Sequence, residues 1–190
     1  MASIAPKPES HTITALVSDR PGVLTRISGL FRRRGFNIAN LAVGHSEMPN
    51  LSRMTFVVEG DDYVVEQVTK QLYKLIDVVR VNDISSENIV IRELALIKVR
   101  ANAQNRAEII EIADIFRSSI VDVSPQMLII ETTGDEEKID AMLQLLKPFG
   151  IKEVMRTGRV AMGRGTSITG SSHKTKELNN KNAPDTQVIE

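Results

Sequence analysis

SDRPGVLTRISGLFRRRGFNI, residues 18–38, joins an apolar strand to an amphipathic helix through a Pro-Gly pair. After Pro21, the residues Val23, Leu24, Ile27, Leu30 and Phe31 recur at helical spacing and predict one buried face. Arg32, Arg33 and Arg34 fill the last turn, and Gly35 is a stop signal. A glycine in a first turn costs about 1 kcal/mol relative to alanine, so Gly22 calls for a local reason. Two readings are open: a tight turn into the helix, or close approach of a ligand to bare backbone amides.

Working outward, TITALV at 12–17 reads as the strand that feeds this helix. FNIANLAV and LSRMTFVVE, separated by the breaker Met48-Pro49-Asn50, read as a hairpin. Gly60-Asp61-Asp62 opens a second helix with the stripe Val65, Val68, Leu72 and Leu75, and VVRVNDI closes a βαββαβ unit. The order then recurs. RELALIKVRA is a strand, and Asn105 with Glu108 resembles a capping box before Ile109, Ile112, Ala113 and Phe116. SIVDVS and QMLIIETT pair, and Asp135 caps a helix bearing Ile139, Met142, Leu143 and Leu146. IKEVMRTGRVAM, residues 151–162, is expected to close the second unit as one strand.

The fold class is therefore α+β, as two consecutive ferredoxin-like βαββαβ domains. The expected divisions are a flexible N-terminus at 1–10, a first domain at 11–86, a second at 87–165, and a polar, aperiodic tail at 166–190 expected to be disordered. Units this small bury only about 60% of their unfolded surface. Their open sheets also leave pairing edges exposed, which favours a dimer joined sheet to sheet.

Composition narrows the function classes. The 24 basic and 24 acidic side chains balance, which speaks against a globally basic nucleic-acid binder. Cysteine is absent, so disulfides, thiolate nucleophiles and cysteine-ligated zinc are excluded. With no secretory signal and no apolar run of membrane-spanning length, a cytoplasmic protein without membrane contact is expected.

Catalytic chemistry is not legible. His11, His45 and His173 lie at no ligand spacing; His45 with Glu47 is the best metal hint and reads better as a solvated loop. No serine has a plausible histidine base and orienting acid around it. Asp61-Asp62 and Glu136-Glu137 sit where the macrodipole favours acids. Gly158, Gly163 and Gly165 lack the context of a phosphate loop. An RNA-recognition reading would need aromatics displayed on the sheet, and Phe56 between Met54 and Val58 reads as core. No catalytic or metal-binding residue is assigned. The helix start after Asp19-Arg20-Pro21-Gly22 is the remaining candidate: the amides of Gly22, Val23 and Leu24 at a positive helix end suit a carboxylate or phosphate.

These residues carry a resemblance. A strand, an acidic residue, Pro-Gly-Val-Leu and a βαββαβ frame resemble the ACT domain, an amino-acid-sensing module. PGVLTRISGLFRRRGFNIANLAVG, LSRMT, QLYKLIDVVRV, SSIVDVSP, KIDAM and LLKPFGIKEVMRTGRVAMGRG together resemble the regulatory (small) subunits of acetohydroxyacid synthase, also called acetolactate synthase, over residues 11–165. The resemblance implies a noncatalytic chain that activates a separate catalytic subunit and confers valine feedback inhibition in branched-chain amino-acid biosynthesis. It implies a homodimer through side-by-side ACT domains. Thiamine diphosphate, magnesium and FAD are expected on the catalytic partner, and no cofactor on this chain. The effector carboxylate would meet the amides of Gly22, Val23 and Leu24, and the other protomer would contribute Asn37 and Ile38. Asp19 stands where the family commonly has asparagine, which puts the charge balance of that site in question. A free-standing ACT-type sensor of another partner is the alternative.

Overall fold

The computed structural model describes residues 10–165 as two sheets, each with two helices. The first unit contains β1 (Ser10–Ser18), α1 (Val23–Arg34), β2 (Ile38–His45), β3 (Leu51–Glu59), α2 (Asp62–Leu72) and β4 (Val78–Asp83). Its sheet is antiparallel, in the order β2-β3-β1-β4. The second contains β5 (Ile89–Arg100), α3 (Arg106–Ile115), β6 (Ser119–Val123), β7 (Met127–Gly134), α4 (Glu136–Leu146) and β8 (Ile151–Arg156), in the order β6-β7-β5-β8. Both are the split-βαβ arrangement, so the α+β class and the duplicated ferredoxin-like order hold.

Alternation and helical periodicity build the cores. Ile13, Ala15 and Val17 of β1 and Met54, Phe56 and Val58 of β3 share the face that packs on Val23, Ile27, Leu30 and Phe31 of α1 and on Val65, Val68 and Leu72 of α2. Phe31 stacks on Phe56 with ring centroids 5.5 Å apart. Burying each large apolar side chain contributes about 1.5–3 kcal/mol. Phe56 is 0% exposed, so it offers no surface on which a base could stack. In the second unit Ala95, Ile97, Val99, Leu128 and Ile130 meet Ile109, Ala113, Ile139, Met142 and Leu146 in the same way.

Several local expectations are corrected. β1 begins at Ser10, paired with Glu59, so Ser10 belongs to the sheet and not to a flexible N-terminus. The rest of that segment, and the tail at 166–190, lie outside the described residues. Leu24 is 49% exposed; about 100° round the helix from Val23, it falls at the rim of the buried stripe. Asn105 makes no capping box. Its Oδ1 accepts the Asn102 N–H at 2.7 Å, while Asn102 Oδ1 accepts from Gln104 and Asn105. Asp61 and Asp135 do cap, accepting the N–H groups of Val64 and Lys138, each at 2.9 Å.

The largest correction concerns 151–162. That run is two strands, broken at Thr157–Arg159 by Gly158 in a left-handed conformation (φ +84°). The second piece, β9 (Val160–Gly163), pairs with Ile89–Arg92 at the start of β5. β5 is therefore a long strand whose first third extends beyond its own sheet. Among the described residues, no helix is long and apolar enough to cross a membrane.

Candidate functional site

The loop between β1 and α1 is held from three sides. The Ser18 N–H donates to the Asp77 carbonyl and the Asp19 N–H to the Asn50 carbonyl, both at 2.8 Å. Arg20 Nε donates to Asp77 Oδ1 at 2.8 Å, and Arg26 Nη1 to Oδ2 at 2.6 Å. Burial pushes the Asp77 carboxyl up, but the bonds from Arg20 and Arg26 outweigh it and hold the group below its ordinary 3.8.

Gly22 is the N-cap of α1, at φ 88° and ψ −10°, and no side chain caps the helix. It therefore stands outside the first turn, and its conformation, which L side chains rarely adopt, is a sufficient reason for glycine. The tight-turn reading is correct on this point. The space in front of it is also open: a Cβ at Gly22 would meet nothing within 4 Å. Of the three amides, that of Val23 turns back to the Arg20 carbonyl at 3.4 Å, a long bond. The Leu24 amide lies in the first turn, where helix geometry supplies no carbonyl partner. Asp19 does not lean on Arg20. Its carboxylate meets His45 Nδ1 at 2.9 Å, at the end of β2.

Asn37 and Ile38 lie elsewhere. Ile38 pairs with Val58 and His45 with Ser52, whereas Ser18, beside the loop, pairs with Leu51. Within one protomer, Gly22 and Ile38 are thus at opposite ends of the sheet, separated by roughly 23 Å of strand at the usual rise. Asn37 Nδ2 donates to Glu59 Oε2 at 2.8 Å, and Ile38 packs partly into the core. The structure groups Asp19, Gly22, Val23 and Leu24 and leaves Asn37 and Ile38 apart. β2 is nevertheless an edge strand, with Val43 52% exposed.

A contact invisible in the sequence joins the two units. The Arg159 N–H donates to Asn40 Oδ1 at 2.8 Å, across 119 residues of chain. Beside it, Asn40, Glu93, Glu136, Arg156 and Arg159 line a cavity of about 460 Å³. Its guanidinium groups are committed: Arg156 holds Glu93 and Asp140, and Arg159 holds Glu136. The one available signal was Gly158 inside an otherwise strand-like run. His45 and Glu47 do not converge on a metal; His45 meets Asp19, and Glu47 meets Arg53 at 2.8 Å. Among the described residues, no group of three or more His, Cys, Asp or Glu could hold a metal ion.

Residues 13–80 match the family model described as AHAS small subunit-like ACT domain, and residues 92–165 match that of the small subunit of acetolactate synthase. An acetolactate synthase small subunit of Mycobacterium bovis is 48% identical over 165 residues, 87% of this chain and 98% of that protein. The chain belongs to the acetolactate synthase small-subunit family. A relative of that name from Mycolicibacterium smegmatis is 51% identical over 163 residues, 86% of this chain and 96% of its own. The crystal structure of the acetolactate synthase small subunit from Thermotoga maritima has a TM-score of 0.79 and 45% identity, covering 84% of this chain and 99% of that one. In this small subunit the first matched segment, the ACT domain, spans most of the first sheet, and the second spans most of the other. Asn40 lies in one and Arg159 in the other.

Proposed function

We propose that this acetolactate synthase small subunit is a noncatalytic regulatory chain that activates its cognate catalytic subunit and confers valine feedback inhibition in branched-chain amino-acid biosynthesis. The observation that carries the reading is the start of α1: an uncapped helix N-terminus, entered through a glycine with open space before it. A carboxylate there gains hydrogen bonds from first-turn amides and the favourable end of the macrodipole, about 0.3–1 kcal/mol for the dipole alone.

The dimer completes the site. β2 is an edge, and two copies pairing antiparallel along it form one eight-stranded sheet. That pairing carries the partner protomer's Asn37 and Ile38 toward the His45 end of β2, which already touches Asp19. Asp19, Gly22, Val23 and Leu24 of one protomer then face Asn37 and Ile38 of the other. Thiamine diphosphate, magnesium and FAD belong to the catalytic subunit in this reading.

The test is acetolactate formation by the catalytic subunit with and without this chain, each across a valine titration. A higher rate with the chain, together with inhibition by valine only in its presence, is the expected result. Pyruvate turnover by the purified chain alone overturns it. Valine binding with no change in synthase rate replaces it with a free-standing amino-acid sensor.

A further inference from the structure

We propose that Asn40, Gly158 and Arg159 form the latch through which the ACT domain controls the C-terminal domain; the inference rests on the valine-site reading above. β2 bulges between Ile38 and Asn40, so Asn40 stands two residues from the end of β2 assigned to the effector. Its Oδ1 accepts the Arg159 N–H at 2.8 Å. The Arg159 side chain then spans both domains, with Nη1 on Thr12 Oγ1 of β1 at 3.3 Å and Nη2 on Glu136 Oε2 at the start of α4 at 2.9 Å.

Gly158 makes the approach possible. A Cβ there would lie 2.5 Å from Asn40 Oδ1 and 2.6 Å from Nδ2, and its φ of +84° is strained for any L side chain. The segment is also anchored on its own side: the Thr157 N–H donates to the Leu94 carbonyl at 3.0 Å, and Thr157 Oγ1 accepts the Leu94 N–H at 3.1 Å. Displacement of β2 therefore has a short bonded route to the junction of β5, β8 and β9, and through Glu136 to α4. Each of these contacts is directional, which suits the junction to two discrete arrangements rather than a continuous deformation.

The test uses the full chain with its cognate catalytic subunit, comparing the parent with Asn40→Ala, Gly158→Ala, Arg159→Ala and Asn40→Asp. The three disruptive variants are expected to bind valine within about twofold of the parent and to activate without valine. Their valine inhibition, typically about 5–150-fold for an allosteric coupling, is expected to fall below about twofold. Asn40→Asp keeps the acceptor and should keep the inhibition. Inhibition as deep as the parent's in all three disruptive variants overturns the latch and leaves the valine site standing, and so does loss of inhibition in Asn40→Asp. If the parent binds no valine, the site reading has failed and amide exchange decides the latch separately. Faster exchange at 157–163 in Asn40→Ala, and at 38–43 in Arg159→Ala, supports it; changes confined to the mutated segment overturn it.

Discussion

Arg20 Nε donates to Asp77 Oδ1 at 2.8 Å, tying the loop before α1 to the start of β4 across 57 residues of sequence. Asp77 is buried, its side chain 1% exposed, and Arg26 takes its other oxygen. Arg20 is therefore committed to fixing the loop and is not a counter-charge for Asp19. Both arginines are more than half exposed and rehydrate when Asp77 is removed.

Asp77→Ala should lower stability at neutral pH by about 1–3 kcal/mol, the cost of losing charge-assisted bonds in a partly solvated setting. The folded-state pKa lies below the ordinary 3.8, so this contribution is present above that value and lost as pH falls through the folded pKa. Urea denaturation over a pH series checks it. The variant should lose part of the acid limb below 3.8, and an unchanged pH profile refutes the assignment.

Gly22 permits a cleaner separation of backbone from charge than a simple Gly22→Ala. At φ 88°, alanine suffers backbone strain of about 1–2 kcal/mol although its methyl meets nothing. Asparagine and aspartate tolerate this region better, have nearly the same shape and differ in charge. Gly22→Asp should abolish valine inhibition, because its carboxylate satisfies the helix end itself, whereas Gly22→Asn should only weaken binding. Calorimetric titration distinguishes them, and equal valine affinities refute the anion site.

Asp19 borders the same region. Its carboxylate sits 2.9 Å from His45 Nδ1, and that imidazole is exposed. Asp19→Asn removes a negative charge from the place where the proposed effector carboxylate would approach. Valine should bind several-fold tighter, about 1 kcal/mol at a partly solvated site. Weaker binding instead assigns Asp19 to the ammonium group.

What could be read in advance follows from the range of each interaction. Val23, Ile27, Leu30 and Phe31 announce their face because helical period is local, and Asp135 announces its cap because the bond spans three residues. Leu24 misleads because a stripe has a rim, and burial at the rim depends on what packs there. The break at Gly158 was hidden by β-compatible residues on both sides. The demand for glycine there is reinforced by Asn40, far away in sequence, which leaves no room for a Cβ. The helix start at Gly22, Val23 and Leu24 was legible as an anion site, whereas Asn37 and Ile38 came from resemblance alone: no local pattern joins Gly22 to Asn37, since within one chain they do not meet.

That separation yields a decisive experiment. If each valine site takes Gly22 from one protomer and Asn37 from the other, two defective chains can complement. Gly22→Asp damages the loop half, and Asn37→Ala damages the strand half, where Asn37 donates to Glu59 within its own protomer. Each homodimer carries one lesion in both of its sites and should fail to bind valine. In a heterodimer of the two, one site collects both lesions, and the other receives an intact Gly22 from one chain and an intact Asn37 from the other. Random subunit exchange in an isologous dimer therefore restores roughly a quarter of all sites, because about half the dimers are mixed and each mixed dimer holds one good site. Calorimetry on the mixture, before and after exchange, measures that stoichiometry. A site contained within a single chain would recover nothing however long the exchange runs, because every chain present carries a lesion. Recovery to about a quarter requires the site to be shared across the β2 edge.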